Sequence, residues 1–144
     1  MNANLSITLG DPGLDQDHAE LQCLIDQLLK ADAAQAPAAL DALKAHAATH
    51  FAMEDGELRR IGDSNASCHL DEHAAVLHSL DEVRALLDRP DPPRDMVLRL
   101  GVELLRWLPE HVQVMDAGIA AVRTRERFGG VPVQITRRVA GSAA

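Results

Sequence analysis

The stretch that decides the fold of this chain is residues 50–73, HFAMEDGELRRIGDSNASCHLDEH. His50 and Glu54 stand four residues apart in it, and so do His69 and His73. On a helix, this spacing puts both side chains of a pair on one face, one turn above the other. Each pair can therefore hold one metal site. A single pair is weak evidence, because surface helices contain such pairs by chance.

A turn signature separates the two pairs. Gly62-Asp63-Ser64-Asn65 consists of residues that favour turns, so it predicts the end of one helix and the start of another. The second helix would run back beside the first. In that arrangement the two pairs face each other across the seam between the helices.

Four stretches of the chain carry apolar residues at the three- and four-residue steps of an amphipathic helix. The first begins at Leu14, with Asp15 placed to cap its start. The second follows Pro37, which suits a first helical turn, and the third stops at the proline-rich segment 89–93. The fourth continues to Val122.

These patterns predict an all-α protein, an up-down-up-down four-helix bundle in which each helix lies antiparallel to the one before it. We expect three parts: an N-terminal arm at residues 1–13, the bundle at residues 14–127, and a C-terminal tail at residues 128–144.

Composition supports a single helical domain and excludes several classes of partner. The 144 residues are 47% hydrophobic, with only two Phe, one Trp and no Tyr, which is a composition of helix formers. The net charge of −8 leaves no basic patch for nucleic acid or an anionic membrane surface, and no segment is apolar enough to span a membrane. With two cysteines and no visible secretory signal, we expect a cytoplasmic protein with reduced thiols.

Seven polar side chains fall on the core-facing lines of the predicted helices, and neither Arg nor Lys accompanies them there. One histidine on an apolar stripe is more often a hydrogen-bonded core residue than a ligand. Five imidazoles and two carboxylates buried without basic partners, however, would be very costly unless they coordinated metal. The seven are His18, His50, Glu54, His69, His73, His111 and Asp116. We expect His46 and His78 to be exposed, although His46 is one turn from His50.

The alternating helix directions bring all seven toward one end of the bundle. Seven ligands exceed what one ion can use, so the set predicts two metals. Imidazole and carboxylate suit iron, manganese or zinc, and bridging carboxylates would leave one coordination position open, which suits a small diatomic ligand. Asp116 follows His111 by five residues and should project from a neighbouring line of its helix, while Pro109 predicts a kink or local rewinding there.

The residues that carry a family resemblance are 14–18 (LDQDH), 50–55 (HFAMED), 69–73 (HLDEH) and 107–111 (WLPEH), followed by Asp116. Over roughly Leu14 to Val122, the chain resembles the hemerythrin family, and within it the single-domain bacteriohemerythrins. The resemblance implies a non-haem centre of two iron ions joined by an oxo or hydroxo bridge, with dioxygen as ligand.

The resemblance also implies a division of ligands. Glu54 and Asp116 would bridge the irons; one iron would be held by His69, His73 and His111, and the other by His18 and His50, with an open position for dioxygen. The family's pocket positions fall on Leu21, Phe51, Trp107, Leu108 and Val112, all apolar here. Departures from the family pattern are Ile7 and Leu9 in place of an aromatic residue in the arm, Ile119 where many relatives have Tyr, and Pro109.

The function expected from the sequence is reversible dioxygen binding, as a carrier, store or sensor, and not enzymatic turnover. One alternative is a di-iron enzyme acting on peroxide, nitric oxide or iron, which would need a proton-relay residue; the chain has no Tyr and no spare carboxylate on the core lines. The other is a sensing module that signals to a protein partner through the arm or the tail. The sequence does not identify such a partner.

Overall fold

The computed structural model describes residues 6–62 and 64–129, and this part of the chain contains helices and no strand. Residues 1–5 of the expected arm, Asp63 of the expected turn and residues 130–144 of the expected tail lie outside it. The elements are α1 (Pro12–Lys30), α2 (Ala36–Ile61), α3 (Ala66–Leu86), α4 (Arg94–His111), a π-helical turn (Val112–Asp116) and α5 (Ala117–Arg127).

The helices form the predicted four-helix bundle. Each of α1, α2 and α3 packs against the next helix along the chain, and α4 packs back against α1, which closes the bundle. The π turn and α5 continue α4, so these three elements together form the fourth rod of the bundle. In the described part of the chain, no helix is both long enough and apolar enough to cross a bilayer.

The first helix starts earlier than predicted and has a different cap. It begins at Pro12, and the carboxylate of Asp11 accepts a hydrogen bond of 3.0 Å from the backbone N–H of Leu14. Pro12 occupies the first turn because its fixed φ suits a helix and it has no N–H to leave unpaired, so the capping residue is the one before it. The expectation that Asp15 caps the helix is therefore wrong.

Asp15 instead fastens the arm. Its carboxylate accepts hydrogen bonds from the backbone N–H groups of Leu9, at 2.7 Å, and Gly10, at 3.0 Å. Leu9 and Ile7 are half-buried and pack against the core. The described end of the arm therefore lies on the bundle, held by aliphatic contacts where the family pattern has an aromatic residue.

The fourth rod contains the main irregularity of the bundle. Pro109 lies inside α4 and cannot donate the hydrogen bond that an α-helix requires at its position, and the chain rewinds to π-helical geometry directly after His111. The local rewinding expected from Pro109 is thus observed. Asp116 was expected on a neighbouring line, but a π turn closes over five residues, so Asp116 lies against His111 on the same side of the rod.

The core has a polar layer between two apolar clusters. The larger cluster runs from the middle of the bundle to its far end and includes Leu21, Phe51 and Val112. The smaller consists of Leu14, Leu58, Ile119 and Ala120. On three of the four rods, a polar residue lies in the sequence between members of the two clusters: His18, Glu54 and Asp116. Apolar side chains therefore close this layer on both sides.

Candidate metal centre

All seven predicted ligands come together in the polar layer. Each of them is at most 2% exposed. Their candidate ligand atoms form two groups, in each of which the atoms lie within 4.8 Å of one another. One group consists of Glu54, His69, His73, His111 and Asp116, and the other of His18, His50, Glu54 and Asp116. The grouping coincides with the division between two ions that the family resemblance implies.

Both carboxylates belong to both groups, and each carboxylate directs one oxygen to one group and its other oxygen to the other group. Asp116 places Oδ2 2.9 Å from Nε2 of His18 and Oδ1 2.8 Å from Nε2 of His69. Glu54 places Oε2 3.4 Å from Nε2 of His50 and Oε1 3.2 Å from Nε2 of His73. A carboxylate with one oxygen on each of two ligand groups has the arrangement of a bridging ligand.

Several of these buried atoms lack a hydrogen-bond partner among the described residues. They are both ring nitrogens of His18, Nε2 of His50 and of His69, both oxygens of Glu54 and Oδ1 of Asp116. Apart from Nδ1 of His18, which is on the other side of its ring, these atoms belong to the two ligand groups and lie near one another without hydrogen-bond geometry. Buried polar atoms without partners cost roughly 1–3 kcal/mol each, and more when charged. Lone pairs that converge in this way fit coordinated cations.

Three carboxylates outside the groups fix the orientation of three histidine rings. Nδ1 of His50 donates to Asp17 at 2.9 Å, and Nδ1 of His73 donates to Asp55 at 2.7 Å. Nδ1 of His111 donates to Glu72 at 2.8 Å. With Nδ1 engaged in this way, the other ring nitrogen, Nε2, faces the centre as a lone-pair donor, which is how metal-binding histidines are usually held.

These three links follow the order of the chain. Asp17 of α1 orients a ligand of α2, Asp55 of α2 orients a ligand of α3, and Glu72 of α3 orients a ligand of α4. The sequence prediction missed all three, because none lies on a core-facing line. The available signal was that each stands next to a predicted ligand, at positions 17, 55 and 72.

The two histidines outside the ligand set behave differently from each other. His78 is exposed, as predicted, and pairs with Glu82 at 2.6 Å. His46 is half-buried, so the prediction that it is exposed is wrong. Its Nε2 lies 3.0 Å from the backbone oxygen of Asp17, and its ring is parallel to that of His50, with the ring centroids 6.2 Å apart. His46 therefore packs against the segment that orients His50.

The predicted pocket residues lie on the side of the polar layer that the larger apolar cluster closes. Leu21, Phe51, Leu108 and Val112 are buried members of the larger cluster, and Trp107 packs against it. The Phe51 ring stacks on His73 with centroids 4.1 Å apart, and the Trp107 ring stacks on His111 at 4.3 Å. The indole N–H of Trp107 donates to the same oxygen of Glu72 that accepts from His111. Both aromatic rings therefore cover the group with three histidines.

The imidazoles and carboxylates shift each other's ionisation. Burial opposes ionisation of both carboxylates, but the close approach of the surrounding histidines outweighs it and lowers the pKa of Glu54 and of Asp116. Burial likewise opposes protonation of His50, yet Glu54 and Asp17 raise its pKa from 6.5 to about 9. The pKa of His111 is also raised, against the effect of burial, chiefly by Asp116. Without a metal, protons therefore take the place of cations between these groups.

Comparison with known proteins relates most of the chain to one family. Residues 10–122 match the family model described as Hemerythrin HHE cation binding domain. A protein of Ralstonia nicotianae named bacteriohemerythrin is 37% identical over 113 residues, which cover 77% of this chain and 80% of that protein. No solved structure gives a significant match.

The metal-free protein should have its highest stability in weakly acidic solution. Because the pKa of His50 is raised from 6.5 to about 9, the stability that its protonation adds is complete below pH 6.5 and is lost as the pH rises through 9. The lowered pKa values of Glu54 and Asp116 have the opposite consequence, so their stabilisation is present above their ordinary values of 4.5 and 3.8 and is lost on acidification. Between about pH 6.5 and 9.5 we expect the free energy of unfolding of the metal-free protein to fall by about 3 kcal/mol.

Metal should reverse this profile, because ions must compete with protons for the imidazoles. Thermal unfolding of the metal-free and metal-loaded forms at matched pH values will test the expectation. The loaded form should be the more stable at neutral pH and should lose metal as the pH falls. Equal melting temperatures of the two forms at neutral pH would contradict it.

Proposed function

The chain belongs to the hemerythrin family, and from this premise we propose that it binds dioxygen reversibly at a centre of two iron ions. The residues that would hold the ions are the seven buried side chains of the two ligand groups. His69, His73 and His111 would hold one ion, His18 and His50 the other, and Glu54 and Asp116 would bridge them. When bound, two ferrous ions would supply both a free coordination position and the electrons that dioxygen binding requires.

The observation that carries this proposal is the division of each carboxylate between the two groups. Two shared carboxylates with three imidazoles on one side and two on the other give unequal ligand sets. The set with two histidines is one ligand short of the other. An ion in that set would keep a position for an external ligand, and the apolar clusters that close the polar layer would favour a small neutral molecule over water.

The surroundings of the centre favour binding over turnover. Among the described residues, the buried polar side chains are the seven ligands and Asp11. Asp11 caps α1, and its other oxygen lies 3.0 Å from Nε of Arg123, so it is already engaged at the end of the bundle. An enzyme that reduces peroxide would need a side chain to deliver protons, and within the described part no spare buried acid stands in the polar layer. This favours reversible binding over the enzymatic alternative.

We also infer a reducing compartment, as in the cytoplasm. Cys23 and Cys68 are both exposed and free. Exposed thiols are readily oxidised in secreted proteins, so two free thiols at the surface are typical of a reducing compartment. The physiological role as carrier, store or sensor is a separate question from ligand binding itself, because all three share the same chemistry at the centre.

An optical titration tests the proposed function. Protein loaded anaerobically with ferrous iron should develop a visible absorption band when dioxygen is added, and the band should vanish when dioxygen is removed. Repeated cycles should recover most of the signal, because within the described residues the polar layer holds no spare buried acid that could deliver protons. Rapid conversion to a ferric form that dioxygen removal does not reverse would instead support the enzymatic alternative.

A second test concerns Leu108, which is 1% exposed and lies one turn before His111. We expect its side chain to shield the free coordination position from water. Leu108→Ala should leave both ions bound, since no ligand is changed, but should speed the loss of the oxygenated form to the oxidised one. The stability cost should be about 2–5 kcal/mol.

Leu43→Ala is the matched control, because Leu43 is also 1% exposed, belongs to the same apolar cluster and lies about two turns before His50 on α2. It should lower stability by a similar amount and leave the rate of oxidation unchanged. If Leu108→Ala oxidises no faster than Leu43→Ala while holding two ions, Leu108 is an ordinary core residue.

A further inference from the structure

The seam between α3 and α4 is open on its outer side. A groove of about 560 Å³ runs along it, and its walls include Glu72 and Ala75 of α3 and Glu103, Trp107, Glu110 and His111 of α4. We call it the α3–α4 groove. His111 is one of the seven candidate ligands and is itself only 2% exposed. The groove therefore leads from solvent to the edge of the centre.

Apart from His111, the charged side chains among the described residues that line the α3–α4 groove are all carboxylates. These carboxylates belong to Glu72, Glu103 and Glu110, and neither Lys nor Arg is among the described residues that line the groove. Glu103 has an exposed partner, Arg106, at 3.4 Å, which weakens its field in part. Glu72 lies at the inner end, where it accepts from the indole of Trp107 and from His111. Negative charge thus extends along the groove to a ligand of the centre.

A buried carboxylate oxygen without a hydrogen-bond partner lies directly behind this wall. Nε2 of His111 is 3.2 Å from Oδ1 of Asp116, an oxygen that lacks a hydrogen-bond partner among the described residues. Ions that occupy the centre must pass the shell of the bundle, because every ligand is at most 2% exposed. An acidic groove that ends at one of these ligands is suited to pass cations inward.

We propose that the α3–α4 groove is the route by which divalent metal ions enter the centre, and that Glu103 and Glu110 speed this entry by attracting them. The inference rests on the metal centre of the proposed function but not on dioxygen binding. Clefts lined by charge of one sign focus the field and raise the arrival rate of oppositely charged ligands by roughly 10- to 1000-fold. Salt screens the effect, with a Debye length of about 8 Å at 0.15 M ionic strength.

A second groove gives the alternative route. It has a volume of about 330 Å³, lies beside α5, and includes Cys68, His69, Met115 and Gly118 in its walls. It also reaches a candidate ligand, His69. Among the described residues that line it, none is Asp, Glu, Lys or Arg, so it offers a cation no electrostatic attraction. The two grooves therefore differ in charge and can be tested separately.

The rate of metal uptake tests the proposal, with ferrous iron added anaerobically to metal-free protein at low ionic strength. Trp107 is the only Trp of the chain and stacks on His111, so quenching of its fluorescence should report arrival of the ion. Glu103→Gln/Glu110→Gln should slow uptake about three- to tenfold, and the difference should vanish at about 0.5 M salt. The final iron content should stay at the wild-type value, because neither residue is a ligand.

Two matched controls accompany this variant. Asp91→Asn/Asp95→Asn makes the same change in net charge at exposed positions near the opposite end of the bundle, and should leave uptake at the wild-type rate. For the route itself, Ala75→Phe narrows the α3–α4 groove, while Gly118→Phe narrows the second groove. Both positions are exposed, and a Cβ at Gly118 meets no atom within 4 Å. Ala75→Phe should slow uptake and Gly118→Phe should not.

The proposal is overturned if the double Gln variant takes up iron at the wild-type rate at low salt, or if Gly118→Phe slows uptake while Ala75→Phe does not. These outcomes differ from a failure of the proposed function. If the metal centre itself is wrong, the wild-type protein will bind no stoichiometric iron; if only dioxygen binding is wrong, iron uptake and its dependence on Glu103 and Glu110 will be unchanged. Circular dichroism and thermal unfolding of each metal-free variant will show that the rates are compared between folded proteins.

Discussion

The burial of seven polar side chains in one layer of a four-helix bundle is the constraint on which the rest of this structure depends. Five imidazoles and two carboxylates are removed from water there, and apolar clusters close the layer on both sides. Such burial is costly unless the groups are paired or coordinated, and several of the atoms have no partner among the described residues. Two cations would give these seven side chains the partners that they lack, which explains why one layer of the core can be polar.

The layer is also what joins the helices to one another. Asp17, Asp55 and Glu72 each reach from one helix to orient a histidine of the next, so the ring geometry depends on correct packing of neighbouring helices. The π turn completes the arrangement by placing Asp116 beside His111 and within 2.8 Å of His69. Folding and ligand geometry are therefore coupled, and a displacement of any helix would misplace a ligand held by its neighbour.

Much of this arrangement could be predicted from the sequence. Helical periodicity placed the five buried histidines, Glu54 and the bundle, because a core-facing line depends only on residue spacing. Spacing also predicted that Asp116 is buried, but not the side of the rod on which it lies, because the π turn after Pro109 changes the number of residues per turn. It also missed His46 and the three orienting carboxylates, whose roles depend on contacts with residues distant in sequence. The cap at Asp11 was missed for a local reason, because Pro12 rather than Leu14 begins the helix.

The metal content and coordination of the iron-loaded protein, determined by crystallography with anomalous scattering, test the two-metal centre most directly. We predict two ions per chain, each about 2.0–2.2 Å from its nitrogen and oxygen ligands, with Glu54 and Asp116 bound to both. All seven side chains should contact metal, and one ion should have a ligand fewer from the protein than the other. A single ion in the layer, or any of the seven side chains turned away from the ions, would contradict the account.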